Sequence, residues 1–497
     1  MSALSIYKEL FMRKFENQVQ LVKYEILKKV SKYAFNDTLE QHILDIPNIV
    51  NKGPNPRFRC CVYHERAVST ERIQMALGGN KNNPNLVEVL DSACDQCPTN
   101  RFTITESCRG CLSHRCALSC PKDAIYIRNQ KAHIDYSKCI ECGKCKKACP
   151  YNSIIDTMRP CQRACPTNAI SINDMKKATI SFEDCIQCGA CVYQCPFGAI
   201  QDKSEIVDVI KELNKSKEKE NYNLYAVLAP SFSTQFDYIE LEKVVKGLKI
   251  LGFKDVVEVS LGADLVTIWE TEEFKSHMEN HDYMTTSCCP SFLNYAKKNF
   301  PEEKQNISST ISPMIAISQI IKEMDLNSKV VFIGPCIAKK GEKNSKDIKG
   351  ITDYVLTFEE LSAMLDSKNI NLEKLIPTPL NNSTETGRGF AASGGVSKAI
   401  KNYIDIQSEN IEFKPVICSG ITDTKKALTM AKIGKLNGNF IEAMACEGGC
   451  IKGPVTMHYG HKDKKSLEKY SKLAKEKNPK LATEVFNTEN MIKYRKL

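Results

Sequence analysis

The sequence has 497 residues, of which 42% are hydrophobic and 26% charged, and its formal net charge is +10. This composition excludes a disordered chain and gives room for roughly two to four domains. No apolar run is as long as the roughly 18 residues of a membrane span, so we expect no membrane partner. Residues 1–30 are charged throughout and lack the apolar core of a secretion signal, which predicts a cytoplasmic protein.

The chain contains 24 cysteines. In a cytoplasmic protein this many cysteines indicate metal binding, because thiols there stay reduced. A four-iron cluster held by four thiolates carries roughly −2 when oxidised, so about five clusters would cancel the positive charge. We therefore expect no nucleic-acid partner. Local basic patches on a near-neutral protein would suit an acidic electron carrier.

We expect residues 1–90 to form a helical segment, and the sequence indicates no role for it. This segment contains two adjacent cysteines, Cys60 and Cys61. One could serve as a small apolar side chain and the other as a free thiol, and a metal-ligand role is equally open.

Residues 91–202 contain a fourfold repeat, in which a Cys-Pro pair is followed by two variable residues, a small residue and isoleucine. Two of the repeats complete the C-x₂-C-x₂-C-x₃-C-P spacing of bacterial ferredoxins, where the fourth cysteine binds the other cluster of a pair. The spacing predicts tandem ferredoxin-like α+β domains. The complete runs are Cys139, Cys142, Cys145, Cys149 and Cys185, Cys188, Cys191, Cys195.

The other two repeats are irregular. The first has two extra residues after its second cysteine, and the third keeps only Cys161 and Cys165. We expect the C-x₂-C pair Cys94 and Cys97 to complete the third repeat. The alternatives are that this pair binds another metal or none. The four predicted [4Fe-4S] groups are Cys108, Cys111, Cys116 with Cys149; Cys139, Cys142, Cys145 with Cys120; Cys185, Cys188, Cys191 with Cys165; and Cys94, Cys97, Cys161 with Cys195.

Residues 203–222 are interpreted as a solvated connector, because an amphipathic helix start runs into a charged stretch. From 223 to 460 short apolar runs alternate with helical patterns, which predicts mostly parallel sheets flanked by helices. Ser231, Cys336 and Cys446 each follow a strand run, so they should converge at the carboxyl ends of the strands. We expect a helical tail at 461–497, and a buried structural role for Cys418.

Four thiols are placed to meet at that edge: Cys289, Cys336, Cys446 and Cys450. They could hold one more four-iron cluster, and an ordinary relay cluster is the plain alternative. Cys288 should not join its neighbour Cys289 in one metal site, because adjacent side chains in an extended segment point to opposite sides.

The stretches "TSCCPSF", "GPCIAKK" and "EAMACEGGC-x₂-GP" resemble the three signature loops of the [FeFe]-hydrogenases of the monomeric clostridial type. The resemblance covers residues 94–460 and implies a two-lobed catalytic domain. It also implies that Cys289, Cys336 and Cys446 hold a cubane that Cys450 bridges to a two-iron subsite. That subsite carries CO, cyanide and an azadithiolate, and together they form the H-cluster.

The resemblance further implies a proton path through Cys288, Glu270, Ser308 and Glu273. His277 stands where the family often has an arginine, and a solvated helix face is the plain alternative for the two glutamates. By the same resemblance Lys339 pairs with one cyanide and Ser231 bonds the other. Met444 would pack against the two-iron subsite, or serve as an ordinary core methionine.

Several positions depart from the family pattern, among them Phe292, Met314 and Gly334. None of them removes a ligand, so they indicate a divergent branch. The resemblance implies reversible reduction of protons to H₂ with electrons from reduced ferredoxin, and assembly by diiron-site maturation proteins. An H₂ sensor and a hydrogenase-like iron–sulfur assembly protein without turnover remain as alternatives. The assembly protein would not need Cys288, Glu270 and Lys339 together. The sequence indicates no oligomeric state.

Overall fold

The computed structural model describes residues 15–217 and 222–496. Residues 1–14 of the expected N-terminal segment, residues 218–221 of the expected connector and residue 497 of the tail lie outside the described residues. Within the described ranges, no helix has the length and apolar character needed to cross a membrane.

The α-helices of the described residues are, in chain order, α1 (Gln18–Phe35), α2 (Leu39–His42), α3 (Ile46–Val50), α4 (Val62–Ala76), α5 (Arg115–Leu118), α6 (Lys144–Ala148), α7 (Pro160–Ala164), α8 (Ala190–Gln194), α9 (Ile206–Lys217), α10 (Phe232–Gln235), α11 (Leu241–Leu251), α12 (Val259–His277), α13 (Pro290–Asn299), α14 (Pro313–Met324), α15 (Ala338–Glu342), α16 (Phe358–Ser367), α17 (Glu385–Gly389), α18 (Gly395–Ile406), α19 (Ile421–Lys432), α20 (Asp463–Ser471) and α21 (Pro479–Thr483). Short 3₁₀ turns lie at Pro301–Asn306, Leu372–Lys374 and Cys450–Lys452.

The strands are β1 (Val87–Val89), β2 (Phe102–Ile104), β3 (Ile125–Arg128), β4 (Lys131–Ile134), β5 (Ile154–Asp156), β6 (Ile170–Ile172), β7 (Ala178–Ile180), β8 (Ile200–Asp202), β9 (Asn223–Leu228), β10 (Asp255–Glu258), β11 (Met284–Thr285), β12 (Ser328–Gly334), β13 (Tyr354–Thr357), β14 (Pro415–Ser419) and β15 (Phe440–Met444).

The cysteine-rich part consists of short antiparallel pairs, namely β1 with β8, β2 with β5, β3 with β4, and β6 with β7. Helices α6 and α8 each follow a glycine in the left-handed conformation, Gly143 at φ 73° and Gly189 at φ 74°. Glycine adopts this conformation without steric cost, so each cysteine loop can turn sharply into its helix. The prediction of ferredoxin-like α+β domains is confirmed.

The second part contains two parallel sheets. One has the order β10-β9-β12-β13 and the other β11-β15-β14. Helices pack against both sheets; for example, α14 contacts β12 and β9, and α19 contacts β14 and β15. The predicted α/β class with parallel sheets is therefore confirmed, and the carboxyl ends of the strands lie at one edge of each sheet.

The N-terminal segment is helical where described, but it is not separate from the second part. Helix α1 packs against α9 and α16, and its apolar residues belong to the same hydrophobic core as β9 and β12. Lys23 on α1 also forms ion pairs with Asp202 at 2.8 Å and with Glu359 at 3.0 Å. These contacts tie β8 of the cysteine-rich part to α16.

The interpretation of residues 203–222 as a solvated connector is wrong for α9. Ile206, Val209, Ile210 and Leu213 are fully buried against α1 and β9. Their i, i+3, i+4, i+7 spacing is that of an amphipathic helix with one buried face. The charged residues occupy the other face. The charge of the stretch therefore indicated one exposed face and not an exposed segment.

The tail is helical only in part. After α21 the chain makes turns at residues 484–486 and 489–491, and Tyr494 then forms a β-bridge with Thr310. The Ile311 amide donates to the Lys493 carbonyl at 3.0 Å, and the Arg495 amide donates to the Ser309 carbonyl at 2.7 Å. The expectation of a helical tail is thus wrong for residues 484–496, of which 493–495 form a strand-like strap beside residues 309–311.

Candidate active site

One cavity of about 100 Å³ lies at the carboxyl ends of both parallel sheets. The residues that follow β9, β12 and β15 line it, as expected for open parallel sheets. The structure brings the four thiols predicted to converge to this cavity: Cys289, Cys336, Cys446 and Cys450.

The turn between Cys446 and Cys450 requires glycine. Gly449 has φ 92°, and a Cβ atom there would lie 2.5 Å from the Ser393 amide nitrogen. Any larger residue would therefore collide with the neighbouring backbone as well as adopt a strained conformation. The turn holds both thiols against the cavity.

The four thiols have the donor chemistry of an iron–sulfur site. Burial raises the pKa of the Cys336 thiol to about 11 and that of Cys450 to about 12. Burial and then the neighbouring thiols also raise the pKa of Cys446 well above its ordinary value. Crowded apolar thiols do not ionise alone, whereas a bound metal deprotonates its thiol ligands and iron–sulfur clusters select thiolates. The residues present therefore fit such a group.

The adjacent cysteines Cys288 and Cys289 line the same cavity but have different neighbours. Cys289 is the N-cap residue of α13, ahead of Pro290, and it is a charged neighbour of Cys336 and Cys446. Burial raises the pKa of the Cys288 thiol well above its ordinary value, and the next cause is Glu270. The structure thus places Cys288 beside a carboxyl group, and Cys289 among the other thiols.

Helix α12 carries both predicted glutamates one turn apart. Glu270 is completely buried, and neither of its carboxyl oxygens has a hydrogen-bond partner among the described residues. Burial, followed by the charge of Glu273, raises the pKa of Glu270 to about 8. A solvated helix face is therefore the wrong alternative for this residue.

Glu273 is surrounded by hydrogen-bond donors from residues 308–310. The Ser308 and Thr310 hydroxyls each donate to Oε2 at 2.7 Å, while the Ser309 amide and hydroxyl donate to Oε1 at 2.7 and 2.6 Å. The Ser287 hydroxyl reaches Ser308 Oγ at 3.4 Å. Polar groups therefore run from the cysteine loop to the half-buried end of α12. Ser287 was not predicted, although it directly precedes Cys288.

The outer end of this path has two neighbours. His277 Nε2 lies 3.1 Å from the Tyr283 carbonyl, and its ring stacks on His281 with ring centroids 4.1 Å apart. Burial and then His281 lower the pKa of His277. On the other side, burial followed by Glu273 raises the pKa of Tyr494 to about 12, which places the C-terminal strap close to Glu273.

Lys339 is the only Lys, Arg or His among the described residues that line the cavity. Its Nζ donates to Glu342 Oε2 at 2.5 Å and to the Cys288 carbonyl at 3.3 Å. Glu342 also accepts from Arg495 Nη2 at 3.1 Å and from the Ser312 hydroxyl at 3.0 Å. Sequence reasoning missed this buried network. The i, i+3 spacing of Lys339 and Glu342 could have indicated the first pair, but no local signal indicates Arg495.

The remaining predicted residues also line the cavity. Ser231 is fully buried, and its hydroxyl has no hydrogen-bond partner among the described residues. An unpaired buried hydroxyl is unfavourable unless a ligand completes it. Met444, at the end of β15, is buried against the cavity. Cys418 lies away from the cavity and is buried in β14, as expected for a structural cysteine.

The cysteine-rich part brings its thiols together in four groups. Two small cavities are lined by the first two groups. In the third and fourth groups the thiols lie close enough to raise one another's pKa. In chain terms the groups are Cys108, Cys111, Cys116, Cys149; Cys120, Cys139, Cys142, Cys145; Cys165, Cys185, Cys188, Cys191; and Cys94, Cys97, Cys161, Cys195.

The third group adjoins the main cavity, because Cys188 lines that cavity together with Cys289. Burial raises the pKa of Cys188 to about 12. The fourth group adjoins the third, since Cys161 is among the charged neighbours of Cys191. The fourth and third groups therefore form a series that ends at the main cavity.

Residues 222–454 match the family described as "Iron only hydrogenase large subunit, C-terminal domain". These residues belong to the iron-only hydrogenase large-subunit family. Residues 132–155 match a 4Fe-4S binding domain, and residues 155–206 match an LdpA Fe-S cluster-binding domain. The chain thus combines a region that matches the iron-only hydrogenase large subunit with regions that match iron–sulfur cluster-binding domains.

The chain is similar to proteins of different kinds. Iron hydrogenase 1 of Clostridium pasteurianum is 28% identical, over 77% of this chain and 75% of that protein. A probable cytosolic Fe-S cluster assembly factor of Aedes aegypti is 27% identical, over 43% of this chain and 55% of that protein. Among solved structures, an [FeFe]-hydrogenase HydA1 variant from Chlamydomonas reinhardtii aligns with a TM-score of 0.45 and 19% identity, covering 54% of this chain and 88% of that one.

Proposed function

We propose that the protein is an [FeFe]-hydrogenase that reversibly reduces protons to H₂ with electrons from a reduced ferredoxin. The observation that carries this proposal is the position of Cys288. Its thiol lines the cavity of the four convergent thiols, and after burial the nearby carboxyl of Glu270, itself buried without a hydrogen-bond partner among the described residues, is the main cause of its raised pKa. A protein that only stored a cluster would have no use for an additional thiol beside a protonated acid.

Cys289, Cys336 and Cys446 would hold a [4Fe-4S] cubane, and Cys450 would join it to a diiron subsite with CO, cyanide and azadithiolate ligands. When bound, this H-cluster supplies the redox chemistry that combines two protons with two electrons. The unpaired Ser231 hydroxyl and the Lys339 ammonium would bond its anionic ligands, and Met444 would pack against it. A buried cation is suited to this role because it balances negative charge in an apolar cavity.

The chain's own residues would deliver protons. Glu273 receives a proton at the half-buried end of α12, and Ser308, which donates to it at 2.7 Å, relays the proton inwards. Glu270, with a pKa of about 8, holds this proton near neutral pH. The Cys288 thiol passes it into the cavity. A carboxyl whose pKa lies near the working pH is an efficient proton donor and acceptor.

The test is co-expression with diiron-site maturation proteins, followed by H₂ measurement and infrared spectroscopy under anaerobic conditions. We expect H₂ evolution from reduced ferredoxin, together with CO and cyanide bands. The Cys288→Ser variant should keep those bands and lose turnover, whereas Cys418→Ser, which alters a buried thiol outside the cavity, should keep both. Matured protein with the bands but without H₂ evolution or uptake would overturn the proposal.

A cluster-assembly protein without turnover is the second candidate, and the similarity to the Aedes aegypti assembly factor favours it. Such a protein would retain iron at the convergent thiols and show no CO or cyanide bands after maturation. An H₂ sensor would show the bands and bind H₂ with negligible turnover. The infrared spectrum and the rate of H₂ evolution therefore separate all three functions.

We place the electron carrier at the first two thiol groups, where Lys138, Lys144, Lys146 and Lys147 are exposed. Apolar side chains are exposed nearby, including Leu112 and Ile140. Clustered lysines attract an acidic protein such as ferredoxin and accelerate its association. The triple charge reversal of Lys144, Lys146 and Lys147 to Glu should raise the KM for ferredoxin about tenfold and leave dye-driven turnover unchanged. Reversal of Lys475, an exposed lysine of the tail, is the control.

We also propose a cytoplasmic location, where the 24 thiols stay reduced before the clusters are inserted. The proposed units are a helical segment at 1–90, a relay part at 91–202 and a catalytic part at 223–460. Helix α9 would belong to the catalytic core, because its apolar face is buried there.

A further inference from the structure

Two thiols and an imidazole lie together on the surface, outside the four thiol groups and the main cavity. Cys60 is exposed, and its sulfur lies 4.0 Å from that of Cys61. The same sulfur lies 3.2 Å from Nδ1 of His64. Adjacent cysteines with a histidine at one sulfur have the parts of a reactive thiol site, namely a nucleophile, a second thiol and a base.

The surroundings of His64 determine which ring nitrogen can accept a proton. Nε2 lies 2.6 Å from the Ser92 carbonyl, and a carbonyl oxygen only accepts hydrogen bonds. Nε2 must therefore carry the proton, which leaves Nδ1 as an acceptor facing Cys60. Asp95 Oδ2, 3.4 Å from Nε2, holds the ring in the same orientation.

The other thiol, Cys61, is the N-cap residue of α4. Its sulfur accepts a hydrogen bond from the His64 amide at 3.4 Å and lies 4.0 Å from the Cys60 sulfur. The amide bond lowers the pKa of Cys61, whereas desolvation and the neighbouring Cys61 thiol raise that of Cys60. A helix N-terminus favours a thiolate, so Cys61 is the nucleophile and Cys60 the protonated partner.

We propose that Cys60 and Cys61 form a peroxide-reactive thiol pair, in which Cys61 is oxidised first and Cys60 then closes a disulfide with it. The Cys61 thiolate attacks one oxygen of a peroxide ROOH, so an S–O bond forms, the O–O bond breaks and ROH leaves with a proton from water. Cys60 then gives its proton to His64 Nδ1 and attacks Cys61. The S–S bond forms, the S–O bond breaks, and hydroxide leaves as water with the His64 proton. The sulfurs lose two electrons, and the peroxide gains two.

The product would be easily reduced again. Adjacent Cα atoms are about 3.8 Å apart, below the roughly 4.4–6.8 Å usual for a disulfide, so the eight-membered ring is strained. Strained disulfides have high reduction potentials and are typical of reversible modification.

The pair also borders the fourth thiol group, because Arg59 donates to Asp95 at 2.9 Å and to the Phe197 carbonyl at 3.1 Å. The disulfide between Cys60 and Cys61 would thus form next to the loop that carries Cys94 and Cys97.

The test treats the iron-loaded protein with one equivalent of hydrogen peroxide under anaerobic conditions, then alkylates the free thiols and digests with trypsin. Cleavage after Arg59 and Arg66 isolates both cysteines in one peptide, 60–66. We expect this peptide to be two hydrogens lighter and unalkylated, and to return to its original mass after mild reduction. The cluster absorbance before and after treatment shows whether the relay groups stay intact.

Three variants separate the steps. Cys60→Ser should stop at a sulfenic acid on Cys61, which dimedone traps. Cys61→Ser should give neither product at this dose. His64→Gln keeps the backbone amide that bonds Cys61, so it should form the sulfenic acid at the original rate but close the disulfide at least about tenfold more slowly.

Three outcomes would overturn the proposal. One is equal sulfenic acid formation at Cys60 in the Cys61→Ser variant. Another is a disulfide found only between two protein chains. The last is the absence of any mass change in peptide 60–66 while the clusters already lose iron.

Discussion

Two glutamates on one helix face have opposite environments. Glu270 is buried without a hydrogen-bond partner among the described residues, whereas Glu273, one turn further on, accepts from the hydroxyl groups of residues 308–310. Burial raises the pKa of Glu270 to about 8, so this carboxyl keeps a proton near neutral pH. A proton moving inwards along α12 therefore passes from a carboxyl that hydroxyl groups hold in place to one that keeps the proton at neutral pH.

The Glu270→Gln variant tests this assignment at the residue scale. Gln has nearly the same size, but it cannot release and regain a proton. We expect H₂ evolution to fall by roughly 10²–10⁴-fold, while the infrared bands of the bound cofactor keep their positions. Glu272→Gln, an exposed neighbour on the same helix, should retain full activity. Retained turnover in Glu270→Gln would exclude the residue from the proton path.

The pKa of Glu270 also predicts how stability depends on pH. Its pKa is raised from 4.5 to about 8, so between these values the folded state keeps a proton that the unfolded state has lost. The free energy of unfolding therefore falls as pH rises through this range and is constant above it. At pH 8.5 this penalty should be on the order of 3–5 kcal/mol, and it should be absent at pH 4.

Urea unfolding at several pH values measures this effect, and the fluorescence of Trp269 reports on it because the chain has one tryptophan, next to Glu270. Relative to the parent, Glu270→Gln should gain stability from pH 5 to about pH 8 and keep a constant advantage above that. Glu272→Gln should follow the parent at every pH. Parallel curves for the parent and Glu270→Gln would show that Glu270 is ionised in the folded protein.

At the scale of elements, the apolar strand runs in the sequence predicted which residues lie at the carboxyl edge of the parallel sheets. The strand runs before Ser231, Cys336 and Cys446 were recognisable, and parallel strands necessarily bring such residues to one edge. Helix α9 was misjudged, although the spacing of Ile206, Val209 and Leu213 carried the signal. The pair of Arg495 and Glu342 was not predictable, because 153 residues separate them and only the folded chain brings the strap to α15.

The turn between Cys446 and Cys450 should not tolerate a side chain at Gly449. A methyl group at Gly449 would lie 2.5 Å from the Ser393 nitrogen, so Gly449→Ala should displace Cys450 or its neighbours. We expect iron to be lost at the main cavity while the relay groups keep theirs, as iron analysis and electron paramagnetic resonance would show. Gly434→Ala is the matched control, since φ is 66° there but no atom lies within 4 Å of the added carbon. Equal iron content in both variants would show that the turn tolerates a side chain.

In the molecule as a whole, the fourth and third thiol groups form a series that ends at the cavity. Cys188 belongs to the third group and also lines the main cavity. The fourth group adjoins the third, and the first two lie among the exposed lysines of residues 101–151. Regular cysteine spacing made the second and third groups predictable. The fourth was predicted only by assigning the leftover pair Cys94 and Cys97 to the incomplete third repeat, and in the structure this pair does lie beside Cys161 and Cys195.

This order predicts different effects for two serine substitutions. Cys142 is exposed in the second group, so Cys142→Ser should lower ferredoxin-driven H₂ evolution by roughly 10–100-fold while a small dye still reduces the inner groups. Cys188→Ser should lower ferredoxin-driven and dye-driven rates alike, because every electron passes the group beside the cavity. Steady-state assays with both donors measure the two rates, and Cys418→Ser controls for the loss of a thiol elsewhere. Equal losses with both donors in Cys142→Ser would mean that electrons do not enter through the second group.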